Sequence, residues 1–369
     1  MSISIIHVIT TLDLGGAEKQ LLILAAKQQE VGNDVKVIFL KDCPKLLNKF
    51  RASGLKVETK FSNMTFLKQV LELRKERVAE KTVYHAHLPR AEFLCALALK
   101  SNTFVVTRHN SEPFFPKAPS FVSRILSKFV LRRAFASISI SRAVTHYLMN
   151  SKELDNDSIN EVVFYGLDNT TVKNKKHPKS KSKSKIYNIG TVARLVPQKN
   201  VSLLINAVQI LNKTHPAAFH LSILGTGPMK EELRLLAVKL GLADLVDFFP
   251  PRLDVATFYK SLDLFVLPSH YEGFGLVLLE AMSAGVAVIA RDVTSIPEVL
   301  GKDHPGLLKT NNPHDLANKI FDFFRDEHYL KECLLYQSEQ IKNFSIDKTE
   351  IAHRNIYIRL LKQIELSSK

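Results

Sequence analysis

Cysteine is scarce in this 369-residue chain: Cys43, Cys95 and Cys333 are scattered, odd in number and without metal-site spacing. That argues against a disulfide framework and fits a reducing, cytosolic setting with free thiols. Long apolar runs are also missing. No stretch approaches the ~18 uninterrupted apolar residues that a membrane span needs, so an integral membrane protein is not expected. The opening Met-Ser-Ile-Ser-Ile-Ile-His-Val-Ile lacks the basic segment of a secretory signal and reads as a first buried strand. Acids are the third shortage: 36 Asp and Glu stand against 51 Lys and Arg, leaving a net charge of +15. A basic surface attracts phosphorylated small molecules, nucleic acid or acidic lipid headgroups, and charge alone does not choose among them.

What is present is enough apolar material, 46% of residues, for two cores, and the length favours two domains. In the first half, strand candidates are Ile3–Thr10, Val35–Leu40, Val83–Ala86, Phe104–Thr107, Ser137–Ile140 and Val162–Tyr165. Helical stretches such as Ala17–Gln29, Lys68–Arg77 and Phe121–Phe135 separate most of them. Apolar strands alternating with helices predict a parallel sheet covered on both faces. From Thr170 to Lys185 apolar residues nearly vanish and seven lysines alternate with Ser, Asn, His and Pro. Such a segment cannot bury enough surface to offset its ordering entropy, which predicts a mobile linker. The alternation restarts with Ile186–Val192, Phe219–Leu224, Val246–Phe249, Leu264–Leu267 and Val286–Ala290. The expected organisation is a Rossmann-like domain over 1–168, a Lys/Ser-rich linker over 169–185 and a second Rossmann-like domain over 186–345. A helix over 346–369 then packs back toward the first domain. Two doubly wound α/β domains of this kind face each other across a cleft, with ligand at the carboxyl ends of the strands.

The segment Pro268-Ser-His-Tyr-Glu272-Gly-Phe-Gly-Leu-Val-Leu-Leu-Glu280-Ala-Met carries the most chemistry. Its order is strand, glycine loop, helix. Gly273 and Gly275 allow close backbone approach, and the N–H groups opening the helix favour an anion. Carboxylates at Glu272 and Glu280 can accept hydrogen bonds from sugar diols. A capped helix with a solvated acid is the plainer alternative for either glutamate. Against it, Glu280 lies among Leu278, Leu279, Ala281 and Met282.

This pair of glutamates, written Glu-Gly-Phe-Gly with Glu-Ala-Met after it, resembles the hallmark of the retaining family 4 glycosyltransferases of GT-B fold. The resemblance implies that Glu272 contacts the donor sugar, Glu280 the nucleotide ribose, and the amides near Gly273, Phe274 and Gly275 sugar or phosphate. Gly190-Thr-Val-Ala-Arg194-Leu-Val-Pro-Gln-Lys199 resembles the loop in which an Arg and a Lys hold the diphosphate. Two fixed cations can neutralise a departing nucleoside diphosphate without a metal. Gly225-Thr-Gly-Pro-Met resembles the family's next glycine turn. In the first domain, Gly15 and Gly16 are similar to the loop that faces the donor phosphate, and His109 to a histidine beside the donor sugar. The full dinucleotide fingerprint is absent, so NAD binding is not expected. His85 and His87 either line the acceptor side or straddle a strand end. Asp155-Asn-Asp157 has the spacing of metal-binding acids but reads as a cap or turn, so no metal and no cofactor are expected. Two departures stand out: Asp292-Val-Thr-Ser-Ile-Pro297-Glu298 lacks the family's usual Gly pair, and Pro250-Pro251 replaces a usual Gly near the base.

In Phe121–Phe135, the basic residues Arg124, Lys128, Arg132 and Arg133 have no acidic neighbour in sequence. Val122, Ile125, Leu126, Phe129 and Val130 supply an apolar stripe. Such a helix can lie on an anionic bilayer or pack as an ordinary surface helix. The resemblance implies transfer of a hexose or N-acetylhexosamine from a nucleoside-diphospho-sugar, a UDP-sugar, to a glycan or lipid-linked acceptor with retention. The work would be bacterial surface polysaccharide or lipopolysaccharide synthesis, in the cytoplasm or at the inner face of its membrane. Competing readings are another GT-B enzyme, such as a nucleotide-sugar epimerase, a glycan-binding subunit, or a basic nucleic-acid-binding protein. Against the last, aromatic interleaving and a recognisable binding module are absent.

Overall fold

The computed structural model describes residues 2–75, 82–155, 157–168, 186–216, 218–252 and 254–367. The linker expected over 169–185 lies outside them, as do the last two residues of the helix expected over Lys68–Arg77. The chain divides into two compact units, Met1–Asp168 with Phe344–Lys369, and Asn169–Asn343.

In the first unit the strands are β1 (Ser4–Ile9), β2 (Asp34–Phe39), β3 (Lys56–Glu58), β4 (Thr82–His87), β5 (Phe104–Arg108), β6 (Ala136–Ser139) and β7 (Asn160–Val162). They form a parallel sheet ordered β3-β2-β1-β4-β5-β6-β7. The order reverses between β1 and β4, and open α/β sheets bind ligand at the carboxyl ends beside such a switch. One face buries Val8, Ile38, Tyr84, Ala86 and Val106. The other buries Ile5, Ile9, Val37, Val83 and Val105, and against it the helix Ile346–Ser367 lays Ile356, Tyr357 and Leu360. The chain enters that helix past Gly166, where an added Cβ would stand 2.6 Å from the Ile346 Cα. No side chain fits there. A Lys27–Asp347 ion pair at 2.9 Å and an Arg359–Glu161 pair fasten the helix along its exposed edge.

In the second unit the strands are β8 (Tyr187–Val192), β9 (Phe219–Leu224), β10 (Val246–Phe249), β11 (Leu264–Leu267), β12 (Ala287–Arg291) and β13 (Leu307–Leu308). Their order is β10-β9-β8-β11-β12-β13, again parallel, with the switch between β8 and β11. The core on one face gathers Ile189, Leu204, Val208, Leu221, Ile223, Leu264, Val266 and Ile289. Continuous apolar strands are what burial on both faces demands.

Some local expectations need correction. The strand placed at Val162–Tyr165 is Asn160–Val162: Val163 and Tyr165 are buried by packing, whereas Asn160 and Glu161 make the ladder with Ser137 and Ile138. The basic helix, observed as Ser120–Arg133, is turned differently from the expected stripe. Ser123, Ser127, Val130 and Leu131 are buried. Ser123 accepts from the Phe115 amide at 2.9 Å, and Ser127 accepts from Arg108 at 2.9 Å and donates to Glu153. Satisfied hydroxyls can go inside, and this leaves Phe121, Ile125 and Phe129 exposed in a row one helical turn apart. An acid also arrives from elsewhere in the chain. Asp155 pairs with Lys128 at 2.5 Å and Arg132 at 2.6 Å, so its carboxylate serves the helix rather than a cap. No helix among the described residues is long and apolar enough to cross a membrane.

Candidate active site

The two switch strands of the second unit each deliver a loop to the same place. From β8 the chain passes exposed Arg194 and closes a short 3-10 turn, Pro197–Lys199. Asn200 stops that turn at φ 50°, and its amide donates to the Pro268 carbonyl at 3.2 Å, tying this loop to the one after β11. Gln198 repeats the tie, donating to the Tyr271 carbonyl at 2.9 Å. The glycine turn after β9 supports the Arg194 loop from the side. An added Cβ at Gly225 would stand 1.8 Å from the Ala193 carbonyl oxygen, and one at Gly227 2.3 Å from that of Leu195.

The structure brings Lys199 and Glu272 together. The ammonium donates to Oε1 at 2.6 Å and Oε2 at 2.8 Å, and Ser269 Oγ donates to Oε1 at 2.7 Å. Glu272 is 5% exposed. A carboxylate so little hydrated is tolerated because it is paired and hydrogen bonded. Glu280 stands apart from this pair, on the helix Leu276–Ser283, where buried Tyr259 donates to its Oε2 at 2.8 Å. Gly275 opens that helix at φ 92°, a left-handed conformation that favours glycine. Phe274 is 2% exposed, so its ring belongs to the core.

Several contributors carried no sequence signal. Thr294 Oγ1 accepts from the Glu272 amide at 2.9 Å and donates to the Glu272 carbonyl at 3.0 Å, which Ser295 Oγ also reaches at 3.0 Å. These two hydroxyls stand where the sequence departs from the family's Gly pair. Thr294 holds φ 46°, a strained conformation for a β-branched residue. We therefore expect Thr294→Ala to destabilise the second unit by about 1–3 kcal/mol through the lost hydrogen bonds. Thr294→Gly should cost less, because it also releases backbone strain of about 1–3 kcal/mol. Equal losses for the two variants in chemical denaturation would contradict this account.

In the first unit, Gly15 caps the helix Gly16–Glu30. An added Cβ at Gly15 would collide with Glu18 Oε2 at 2.1 Å, and that carboxylate accepts from Thr11 at 2.7 Å. An acid of this chain thus already occupies the first turn, where a helix favours negative charge. His109, half-buried just past β5, contacts Tyr165 through Nδ1 and His87 through Nε2 at 3.2 Å. His85 and His87 are 0% and 2% exposed, His85 inside β4 and His87 closing it, so both are buried. Two residues apart on one strand, they face the same side, toward His7 and Tyr357. Desolvation lowers His7 to about 4 and His353 to about 4, and holds His85 and His87 well below the ordinary value.

The sign of the stability effect follows. Unfolded histidines bind protons as pH falls through 6.5 while the buried ones stay neutral, so stability is full above about 6.5 and declines toward about 4. Thermal denaturation between these pH values should show the decline, and a flat profile would contradict it.

Sequence models of two families match the chain: Glycosyltransferase Family 4 over residues 14–162, and Glycosyl transferases group 1 over residues 172–340. An uncharacterised glycosyltransferase of Methanocaldococcus jannaschii is 26% identical over 309 residues, 82% of each chain. A lipopolysaccharide core biosynthesis mannosyltransferase of Rhizobium meliloti is 32% identical over 253 residues, 64% of this chain and 69% of that protein. Among solved structures, Anabaena HepE in complex with UDP and glucose superposes with a TM-score of 0.81 at 21% identity, over 96% of this chain and 98% of its own. Two Rossmann-like units of these topologies, with the structural match, give a GT-B fold, and the family matches make the protein a glycosyltransferase. The chain belongs to the glycosyl transferases group 1, glycosyltransferase family 4.

Proposed function

We propose that this enzyme moves a hexose or N-acetylhexosamine, with retention, from a nucleoside-diphospho-sugar to a glycan or lipid-linked acceptor of a bacterial surface polysaccharide or lipopolysaccharide. The observation that carries the reading is the Lys199–Glu272 pair, held by Ser269 at the switch point of the second unit. In this reading Glu272 orients the sugar and Glu280, fixed by Tyr259, accepts from the ribose hydroxyls. Gly15, Gly16 and the amides of Gly273, Phe274 and Gly275 meet phosphate or sugar, and His109 helps place the reacting centre. As the bond from the anomeric carbon to the diphosphate breaks, negative charge grows on the leaving oxygen. Arg194 and Lys199 stabilise that charge where it develops, so the step needs no metal. The acceptor hydroxyl attacks on the same face, its oxygen bonds the anomeric carbon, and its proton passes to the departing phosphate. UDP is the favoured nucleotide, supported by the UDP found in the Anabaena protein. The Rhizobium relative supports a surface-glycan acceptor.

The exposed row Phe121, Ile125 and Phe129 beside Arg124 supports contact with an anionic membrane. Replacing Phe121 and Ile125, the two most exposed of the three, with serine is expected to abolish sedimentation with anionic vesicles and leave the melting temperature unchanged. Unaltered sedimentation would contradict the contact.

A thermal-shift panel of UDP, GDP and ADP with their sugars tests the donor reading, because a ligand of the folded state raises its melting temperature. UDP or a UDP-sugar should raise it most. No shift with any member would overturn the reading.

A further inference from the structure

Both ring nitrogens of His7, His85, His87 and His109 have hydrogen-bond partners inside the first unit. A neutral imidazole has one donor and one acceptor, so fixing one bond fixes the direction of the next. The Gln28 amide supplies the fixed end. Its Oε1 lies 2.7 Å from His7 Nε2, and its Nε2 donates to the Tyr357 hydroxyl at 3.3 Å. His7 must then donate through Nε2 and accept through Nδ1. His87 Nε2, 3.0 Å away, is the donor to that Nδ1. His87 Nδ1 accepts from His109 Nε2, which leaves His109 Nδ1 to accept from Tyr165. On the other side, Tyr357 accepts from Gln28 and donates to His85 Nδ1 at 2.6 Å, and His85 Nε2 donates to Thr107 at 2.7 Å.

We infer that these side chains form one unidirectional relay, from Tyr165 through His109, His87, His7, Gln28, Tyr357 and His85 to Thr107. Gln28 is the positioning residue that fixes His109 as its Nε2–H tautomer, through His7 and His87, and Tyr357 sets His85. Both come from helices packed over the sheet, Gly16–Glu30 and Ile346–Ser367, so the first sets the state of His109 after β5 and the C-terminal helix that of His85 in β4. Burial keeps the rings neutral, which the relay requires. Resting on the reading of His109 beside the donor sugar, the relay adds a direction. A sugar hydroxyl that takes the place of Tyr165 must donate to Nδ1. Nitrogens of His7, His85 and His87 also lie within 4.8 Å of one another, a spacing open to a metal. The relay accounts for the same cluster by giving each nitrogen a partner.

The test is a long-range proton–nitrogen correlation spectrum of the full chain labelled with nitrogen-15 histidine, recorded without donor. His7, His85, His87 and His109 are expected as Nε2–H tautomers. His353, whose Nδ1 donates to the Thr349 carbonyl at 2.8 Å, should show the opposite form as an internal contrast. Gln28→Glu offers only acceptors, so Tyr357 must turn its proton to the new carboxylate and His85 alone should switch to Nδ1–H. An Nδ1–H or imidazolium signal from any of the four in the native chain near neutral pH overturns the relay. So does a shift of the His7, His85 and His87 signals on adding zinc, or a Gln28→Glu spectrum with no change at His85. Because the spectra need no donor, they stand or fall apart from the glycosyl-transfer reading, which fails instead if no nucleoside-diphospho-sugar binds.

Discussion

Replacing Lys199 with alanine is expected to lower kcat by about 10²- to 10³-fold, the effect of removing one preorganised group from the place where charge develops. Two consequences combine at this residue. In the proposed reaction the departing diphosphate would lose a cation, and Glu272 loses the partner that holds both of its oxygens at 2.6 and 2.8 Å. Because Glu272 is 5% exposed, water cannot fully replace the ammonium. Breaking a buried pair from one side costs about 3–5 kcal/mol, with Ser269 still donating to Oε1. The variant should therefore lose melting temperature as well as turnover. Lys199→Arg should recover stability more than rate, since a planar fork does not reproduce the point geometry of an ammonium. Donor-saturated kinetics beside a thermal melt separate the two effects. Unchanged kcat in Lys199→Ala would remove Lys199 from the chemistry.

Glu280→Ala should act on binding instead. Hydrogen bonds to a charged group contribute about 1.5–3 kcal/mol, so the dissociation constant for donor should rise by roughly 10- to 150-fold. Here kcat should change far less, because the proposed ribose contact would be the same in the ground and transition states. Tyr259→Phe provides the graded comparison. It keeps the ring in the core and removes the hydroxyl that donates to Glu280 Oε2 at 2.8 Å, so a smaller loss of affinity is expected. Calorimetric titration of nucleoside diphosphate into the three proteins reads this directly. Equal affinity in wild type and Glu280→Ala would detach Glu280 from the nucleotide.

Much of this architecture was legible in the sequence because burial on both faces leaves its mark in consecutive residues. Apolar strands separated by amphipathic helices give a parallel sheet whatever the ligand, and Gly273 and Gly275 mark a loop through local backbone freedom. The short strands β3 and β13 were not legible. Lys-Val-Glu offers one apolar residue, and Leu307–Leu308 is too brief to show a period. Hydroxyl contributors escaped for another reason. Ser269, Thr294 and Ser295 act through bonds to Glu272 that only the folded loops create, and Ser or Thr in a loop carries no periodic signal. The helix Ser120–Arg133 misled because hydrophobicity was read without partners. Ser123 and Ser127 went inside on hydrogen bonds, and Phe121 and Ile125 were left outside. The histidines followed the same logic. His85 and His87 look like surface chemistry until Tyr357 and Thr107 satisfy the first and His7 and His109 the second, all from distant parts of the chain.

The central claim is retaining transfer from a nucleoside-diphospho-sugar, and product analysis tests it most directly. The enzyme would be incubated with UDP-, GDP- and ADP-sugars and a lipid-linked or glycan acceptor, while released nucleoside diphosphate is quantified and the new linkage is read by NMR. We predict one nucleoside diphosphate, UDP, released for each glycoside formed, with the anomeric configuration of the donor kept. An inverted product would contradict the account, as would interconversion of the free nucleotide sugar without acceptor or no release from any donor.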